Sequence, residues 1–108
     1  LQIIQKNKTM VKHVVLFKLK EFASEEERMR KLNQIKLGLL NLKSIIEELK
    51  SIEVGINQNP KEQFDIALTT THDDMAGLEA YAVHPNHVAV GKIIREVLEQ
   101  RSCVDYVI

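Results

Sequence analysis

The stretch from Val11 to Lys20, Val-Lys-His-Val-Val-Leu-Phe-Lys-Leu-Lys, restricts the possible folds more than any other part of the chain. Alternate positions place Val11, His13, Val15, Phe17 and Leu19 on one face and Lys12, Val14, Leu16, Lys18 and Lys20 on the other. The first face is apolar along its length apart from one histidine. The second is apolar only at its centre. Such a strand needs cover on both sides in the middle and water at its ends, so the fold must supply two separate layers over one sheet.

The remaining elements identify one of those layers. Ser24 followed by Glu25, Glu26 and Glu27 has the form of a capping box at a helix start. Met29, Leu32, Ile35, Leu39 and Leu42 then recur at steps of three and four, predicting a helix over about 25–42, in which Gly38 marks close packing against the sheet. Residues 44–50 read as a short extra helical turn. Ile52, Val54 and Ile56 alternate with Glu53 in a strand over 51–57, and Asn57-Gln-Asn-Pro-Lys-Glu62 is a turn segment. A strand over 64–72 follows, making an antiparallel hairpin with its predecessor. Asp73 or Asp74 caps a helix carrying Met75, Leu78, Tyr81 and Ala82, and His84-Pro85 breaks it, because a residue before proline avoids the helical region. A helix with Val88, Ile93, Ile94, Val97 and Leu98 and a closing strand over 103–108 complete the order βαββαβ. That order predicts an α+β, ferredoxin-like fold: a four-stranded antiparallel sheet with helices on one face. The other face is left for a partner, and a second copy packing sheet on sheet is the simplest cover.

Composition narrows the classes of function. The 108 residues suit one domain, taken as 10–108, with 1–9 an extension that lacks the pattern of a signal peptide. Fifteen basic and fifteen acidic side chains cancel, so no long-range field gathers nucleic acid or an anionic membrane, and neither partner is expected. Cys103 is the single cysteine, which rules out an internal disulfide and suits a reducing, cytoplasmic location. There is no phosphate-cradling glycine loop and no nucleophile elbow. His84 and His87 lie three apart but flank Pro85, and no cysteine or carboxylate falls at a recognised ligand spacing. No metal and no cofactor are expected.

The histidines carry what chemistry there is. His87 follows Pro85 in the first turn of a helix, where the dipole favours a neutral imidazole able to act as a base. The alternative is a helix-start histidine bonded to a carbonyl or water. His13 is polar on an apolar face and needs a hydrogen-bond partner, with Asp65 or Tyr106 as candidates. Tyr81 either turns its hydroxyl to a cleft or packs its ring beneath the following helix. His84 fixes the turn, His72 reads as a solvated strand end, and Asp105 with Tyr106 as a structural pair on the closing strand.

Met10-Val-Lys-His-Val-Val-Leu-Phe-Lys-Leu-Lys, Tyr81-Ala-Val-His-Pro-Asn-His87 and Val104-Asp-Tyr106, in that order, resemble the Dabb family of dimeric stress-responsive A/B-barrel domains. The resemblance spans Met10 to Ile108. It implies a dimeric α+β barrel, with a cleft in each protomer between sheet and helices. In the polyketide cyclases of that family, the histidine matching His87 acts as base and a first-helix tyrosine assists it; Ile35 stands at that tyrosine's position. The histidine matching His13 lines the cleft in the same relatives. The expected site is therefore His87 and His13 as acid–base candidates, with Tyr81, His84, Asp65, Phe17 and Ile35 around a small organic ligand. The implied function is a homodimeric small-ligand-binding domain of unassigned activity, or alternatively a cofactor-independent enzyme, polyketide-cyclase-like or monooxygenase-like, using His87 as general base on a small carbonyl compound.

Overall fold

The computed structural model describes residues 10–108, so the expected extension over 1–9 lies outside the described residues. Strand β1 (Val11–Leu19) is central in a four-stranded sheet of order β2-β3-β1-β4, with β2 at Ser51–Ile56, β3 at Ile66–His72 and β4 at Leu98–Val107. All three pairings are antiparallel. Helices α1 (Glu25–Asn41), α2 (Met75–Val83) and α3 (Pro85–Val97) complete the expected βαββαβ, ferredoxin-like order, with the second helical segment in two parts.

Local chemistry accounts for the boundaries. Ser24 caps α1 by accepting the Glu27 N–H, and three glutamates occupy the positive first turn. Asp74, the second of the two candidates, caps α2 by accepting the Gly77 N–H. His84 ends α2 and also starts α3, where its Nδ1 accepts the Asn86 N–H at 3.1 Å and Pro85 takes the first helical position.

Three boundaries differ from the sequence reading. The closing strand begins at Leu98, not Cys103, because β4 pairs with β1 along almost its whole length, across a bulge at Lys18/Leu19. That tertiary pairing overrides the polar character of Glu99, Gln100 and Arg101. Strand β3 begins at Ile66, although the Asp65 backbone still bonds to Phe17 and Asn57, while its carboxylate holds the Leu19 N–H and Arg28. The extra turn shrinks to a 3-10 segment at Leu42–Ser44, after which Ile46 and Leu49 plug the core.

One face of the sheet carries the core. Residues of β1 alternate between buried and partly exposed, with Val11, Val15, Phe17 and Leu19 beneath the helices. Leu32, Ile35 and Leu39 of α1 cover them together with Val54, Ile66 and Leu68, each side chain contributing about 1.5–3 kcal/mol by leaving water. Gly38 packs against α3 and not the sheet: a Cβ there would lie 3.6 Å from both Val90 methyls. The face away from the helices presents Val14, Leu16 and Ala67 beside Val104 and Tyr106, which are 55% and 44% exposed.

Candidate functional site

The helices cover the two halves of the sheet unequally. Towards β2, the side chains of α1 together with Ile46 and Leu49 fill the space, and α2 closes over the His72 end of β3. Over β1 and β4, α2 and α3 stand off and enclose a cavity of about 500 Å³. Val15, Phe17, Leu68, Leu78 and Ile94 give it apolar walls, and His13, Tyr81, His87, Arg95, Arg101 and Asp105 supply polar groups.

Strand pairing builds the floor. His13 lies directly across from Asp105 in the β1–β4 ladder, and Cys103, two residues earlier, shares that face. The His13 Nδ1 is 2.5 Å from Asp105 Oδ1, and the Cys103 Sγ is 3.6 Å from the same nitrogen and 3.5 Å from the same oxygen. Although partial burial works against its charge, the hydrogen bond with His13 holds the Asp105 carboxyl below its ordinary range. Burial and the neighbouring Asp105 carboxylate push the Cys103 thiol up, so it is no ready nucleophile.

Helices α2 and α3 build the roof. His87 Nδ1 lies 2.9 Å from the Ala82 carbonyl, which only accepts, so this nitrogen carries the proton and the Nε2 lone pair has no partner among the described residues. Burial lowers the His87 pKa, and repulsion from His13, Arg101 and Arg95 adds to it against the Ala82 carbonyl. Burial thus does what the helix dipole alone was expected to do. The Tyr81 ring sits 4.4 Å from that of His87, centre to centre. Its hydroxyl is buried without a hydrogen-bond partner among the described residues, and burial raises its pKa to about 12.

Of the residues expected at the site, His13, His87, Tyr81 and Phe17 line this cavity, whereas Asp65, His84 and Ile35 do not. Asp65 accepts the Leu19 N–H at 2.7 Å and pairs with Arg28 at 2.9 Å, joining the end of β1 to α1. His84 is committed to capping. Ile35 is wholly buried in the filled half of the core. The partner of His13 is Asp105, not Asp65 or Tyr106. Tyr106 faces the other side of the sheet opposite Lys12, and Asp65 lies beyond the Phe17 end of the strand.

His72 is not a solvated strand end. It is fully buried, with Nδ1 donating to the Glu48 carbonyl at 2.8 Å and Nε2 accepting from the Thr70 hydroxyl at 2.9 Å. Burial lowers its pKa as well. Arg101, Cys103 and Asp105 are not legible as cavity residues in the sequence, where Asp105 reads as structural, because they reach the cavity through pairing across some ninety residues. Their alternation along the last strand was the available signal.

This cavity beneath the Tyr-x-x-His-Pro-x-His block is set in a frame found elsewhere. Residues 11–108 match the family model of the stress responsive A/B barrel domain, Dabb. The chain belongs to the Dabb family. A structure from Bacteroides fragilis, described as a dimeric protein of unknown function and ferredoxin-like fold, shares 44% identity over 93% of this chain and 97% of its own, with a TM-score of 0.88. Olivetolic acid cyclase from Cannabis sativa is 25% identical over 99 residues, covering 89% of this chain and 94% of the cyclase. The hydroxynitrile lyase of Passiflora edulis, at 22% identity over 94% of each chain and a TM-score of 0.79, has a similar fold. Among the described residues of this Dabb chain, no helix is long and apolar enough to cross a membrane.

Proposed function

We propose that this Dabb domain binds a small, largely apolar organic molecule bearing a carbonyl or carboxylate group in the cavity between β1/β4 and α2/α3. The unpartnered Tyr81 hydroxyl is the observation that carries the reading. A buried hydroxyl without a partner costs about 1–3 kcal/mol, and a ligand oxygen admitted by a small shift of the side chains that cover it would recover it. The Nε2 of His87, unengaged among the described residues, stands on the same cavity, where Arg95 and Arg101 offer donors to a ligand oxygen and are balanced in charge by Glu79 and Asp105.

In the second reading His87 is a general base. A neutral imidazole with its Nδ1 proton fixed on the Ala82 carbonyl offers Nε2 for a proton acidified by a neighbouring carbonyl, and Tyr81 would hold the developing oxyanion. The similarity to a cyclase supports this reading.

The domain acts as a homodimer in this proposal. Val14, Leu16, Val104 and Tyr106 make an apolar sheet face that a second copy would cover, and the Bacteroides fragilis relative is dimeric. Light scattering should give twice the chain mass; a monomer at all concentrations would overturn the assembly. The single free thiol fits a reducing compartment such as the cytosol.

The binding test is a titration of the labelled protein with small aromatic and aliphatic carboxylic acids, followed by amide NMR. Shifts should concentrate at Tyr81, His87 and Arg101. His87→Ala should keep its fold and weaken binding by about tenfold or more, equivalent to about 1.4 kcal/mol. Shifts confined to residues outside the cavity would overturn the reading.

A further inference from the structure

The floor of the cavity joins three side chains of different chemistry that the small-molecule reading does not need. His13, Cys103 and Asp105 each present one ligand-type atom, and these atoms lie within 4.8 Å of one another. We propose that they form a three-ligand site for a borderline-soft divalent cation, zinc foremost, whose remaining coordination position faces the cavity.

The distances fit with one small adjustment. Tetrahedral zinc with a sulfur at about 2.3 Å and nitrogen or oxygen at about 2.0–2.1 Å separates sulfur from either lighter ligand by about 3.5 Å. The sulfur here already stands 3.6 Å from His13 Nδ1 and 3.5 Å from Asp105 Oδ1. Only the 2.5 Å contact between His13 and Asp105 is too close, and it would open by about 0.8 Å as the ion replaced the shared proton.

Charge and placement agree with this. A neutral imidazole, a thiolate and a carboxylate sum to minus two, so a divalent cation leaves the set neutral beside apolar walls. Binding releases the thiol proton to solvent, transfers the His13 ring proton from Nδ1 to Nε2 so that Nδ1 can ligate, and involves no change of oxidation state. Thiolate with imidazole selects zinc over magnesium or calcium. Three protein ligands with an open fourth position is the arrangement of reactive zinc sites, in contrast to closed structural ones. The ligands stand on paired strands β1 and β4, which hold them more rigidly than a loop would. The site does not depend on the cavity taking an organic ligand: zinc would bind in its absence.

The test uses the full chain, stripped with a chelator and titrated with zinc against a chromophoric competitor. One zinc per chain is expected. Cobalt added instead should show the near-ultraviolet charge-transfer absorption of a cobalt–thiolate bond. Cys103→Ser and His13→Gln should each weaken zinc binding by more than about 100-fold, beyond the 10–100-fold typical of outer-shell changes. His84→Asn, which retains a capping side chain outside the cavity, should bind as the parent does. Absence of the cobalt–thiolate band in the unmutated protein overturns the proposal however the variants fold. Equal zinc affinity in Cys103→Ser, or loss of binding in His84→Asn, overturns it equally.

Discussion

His72 and His87 lie under the same helical layer, each within 5 Å of the Tyr81 ring centre, yet they illustrate opposite uses of one side chain. His72 belongs to the filled half of the molecule, and both its nitrogens are engaged by the protein. His87 belongs to the open half, with one nitrogen engaged and the other free. Burial lowers both pKa values, so an altered pKa alone does not distinguish them. What separates a structural histidine from a reactive one here is the unengaged lone pair beside a cavity. The filled half keeps its histidine inert by completing its hydrogen bonds, whereas the open half leaves the second nitrogen of His87 unengaged, among the described residues, beside the cavity.

The contrast breaks most readily at Ile35. Ile35→Ala should cost about 2–5 kcal/mol in chemical denaturation, since the site is closed on every side. A loss below about 1 kcal/mol would mean that the filled half is looser than described. His72→Ala should cost about 1–3 kcal/mol by leaving the buried Glu48 carbonyl and Thr70 hydroxyl without their partner.

Acidity sharpens the same comparison. A histidine whose pKa is lower in the folded than in the unfolded chain, ordinarily near 6.5, contributes full stability above that value. Its contribution is lost as pH falls from about 6.5 toward the folded pKa, because the unfolded chain takes up the proton first. Urea midpoints should therefore drop below about pH 6.5. The gap between the parent and His72→Ala should narrow over that range; a constant gap would show that His72 is not held neutral. The smallest expected effect is that of Tyr81→Phe. Removing a hydroxyl that has no partner should leave stability unchanged or raise it by up to about 1 kcal/mol, while ligand binding weakens. A marked loss of stability would mean that the hydroxyl is bonded within the protein.

Most of the frame was legible because it depends on local signals. The two-sided alternation of β1, the capping box at Ser24, the periodic stripe through Leu32, Ile35 and Leu39 and the break at His84-Pro85 each lie within a few residues. Half of the cavity was legible for the same reason, since Tyr81 and His87 are six residues apart around that break. The other half was not. Asp105 becomes the partner of His13 only through the β1–β4 register, and no local pattern chooses it over Asp65 or Tyr106. Ile35 was placed at the cleft by resemblance, while its own periodicity pointed to the core, and here periodicity was the better guide. His72 was misjudged because the acidic pair Asp73-Asp74 marks the beginning of a helix that folds back over it, not an approach to solvent.

The double service of His84, ending one helix and starting the next, makes the orientation of His87 a matter of phase. An α-helix turns about 100° per residue, and counting for α3 begins at that joint. One residue inserted between Pro85 and His87 would leave the helix, its cap and its length nearly intact, but would swing the imidazole about a quarter-turn around the axis. The spacing from proline to histidine is thus an angular setting: it determines which wall of the molecule receives the free nitrogen, independently of how well the helix itself is made.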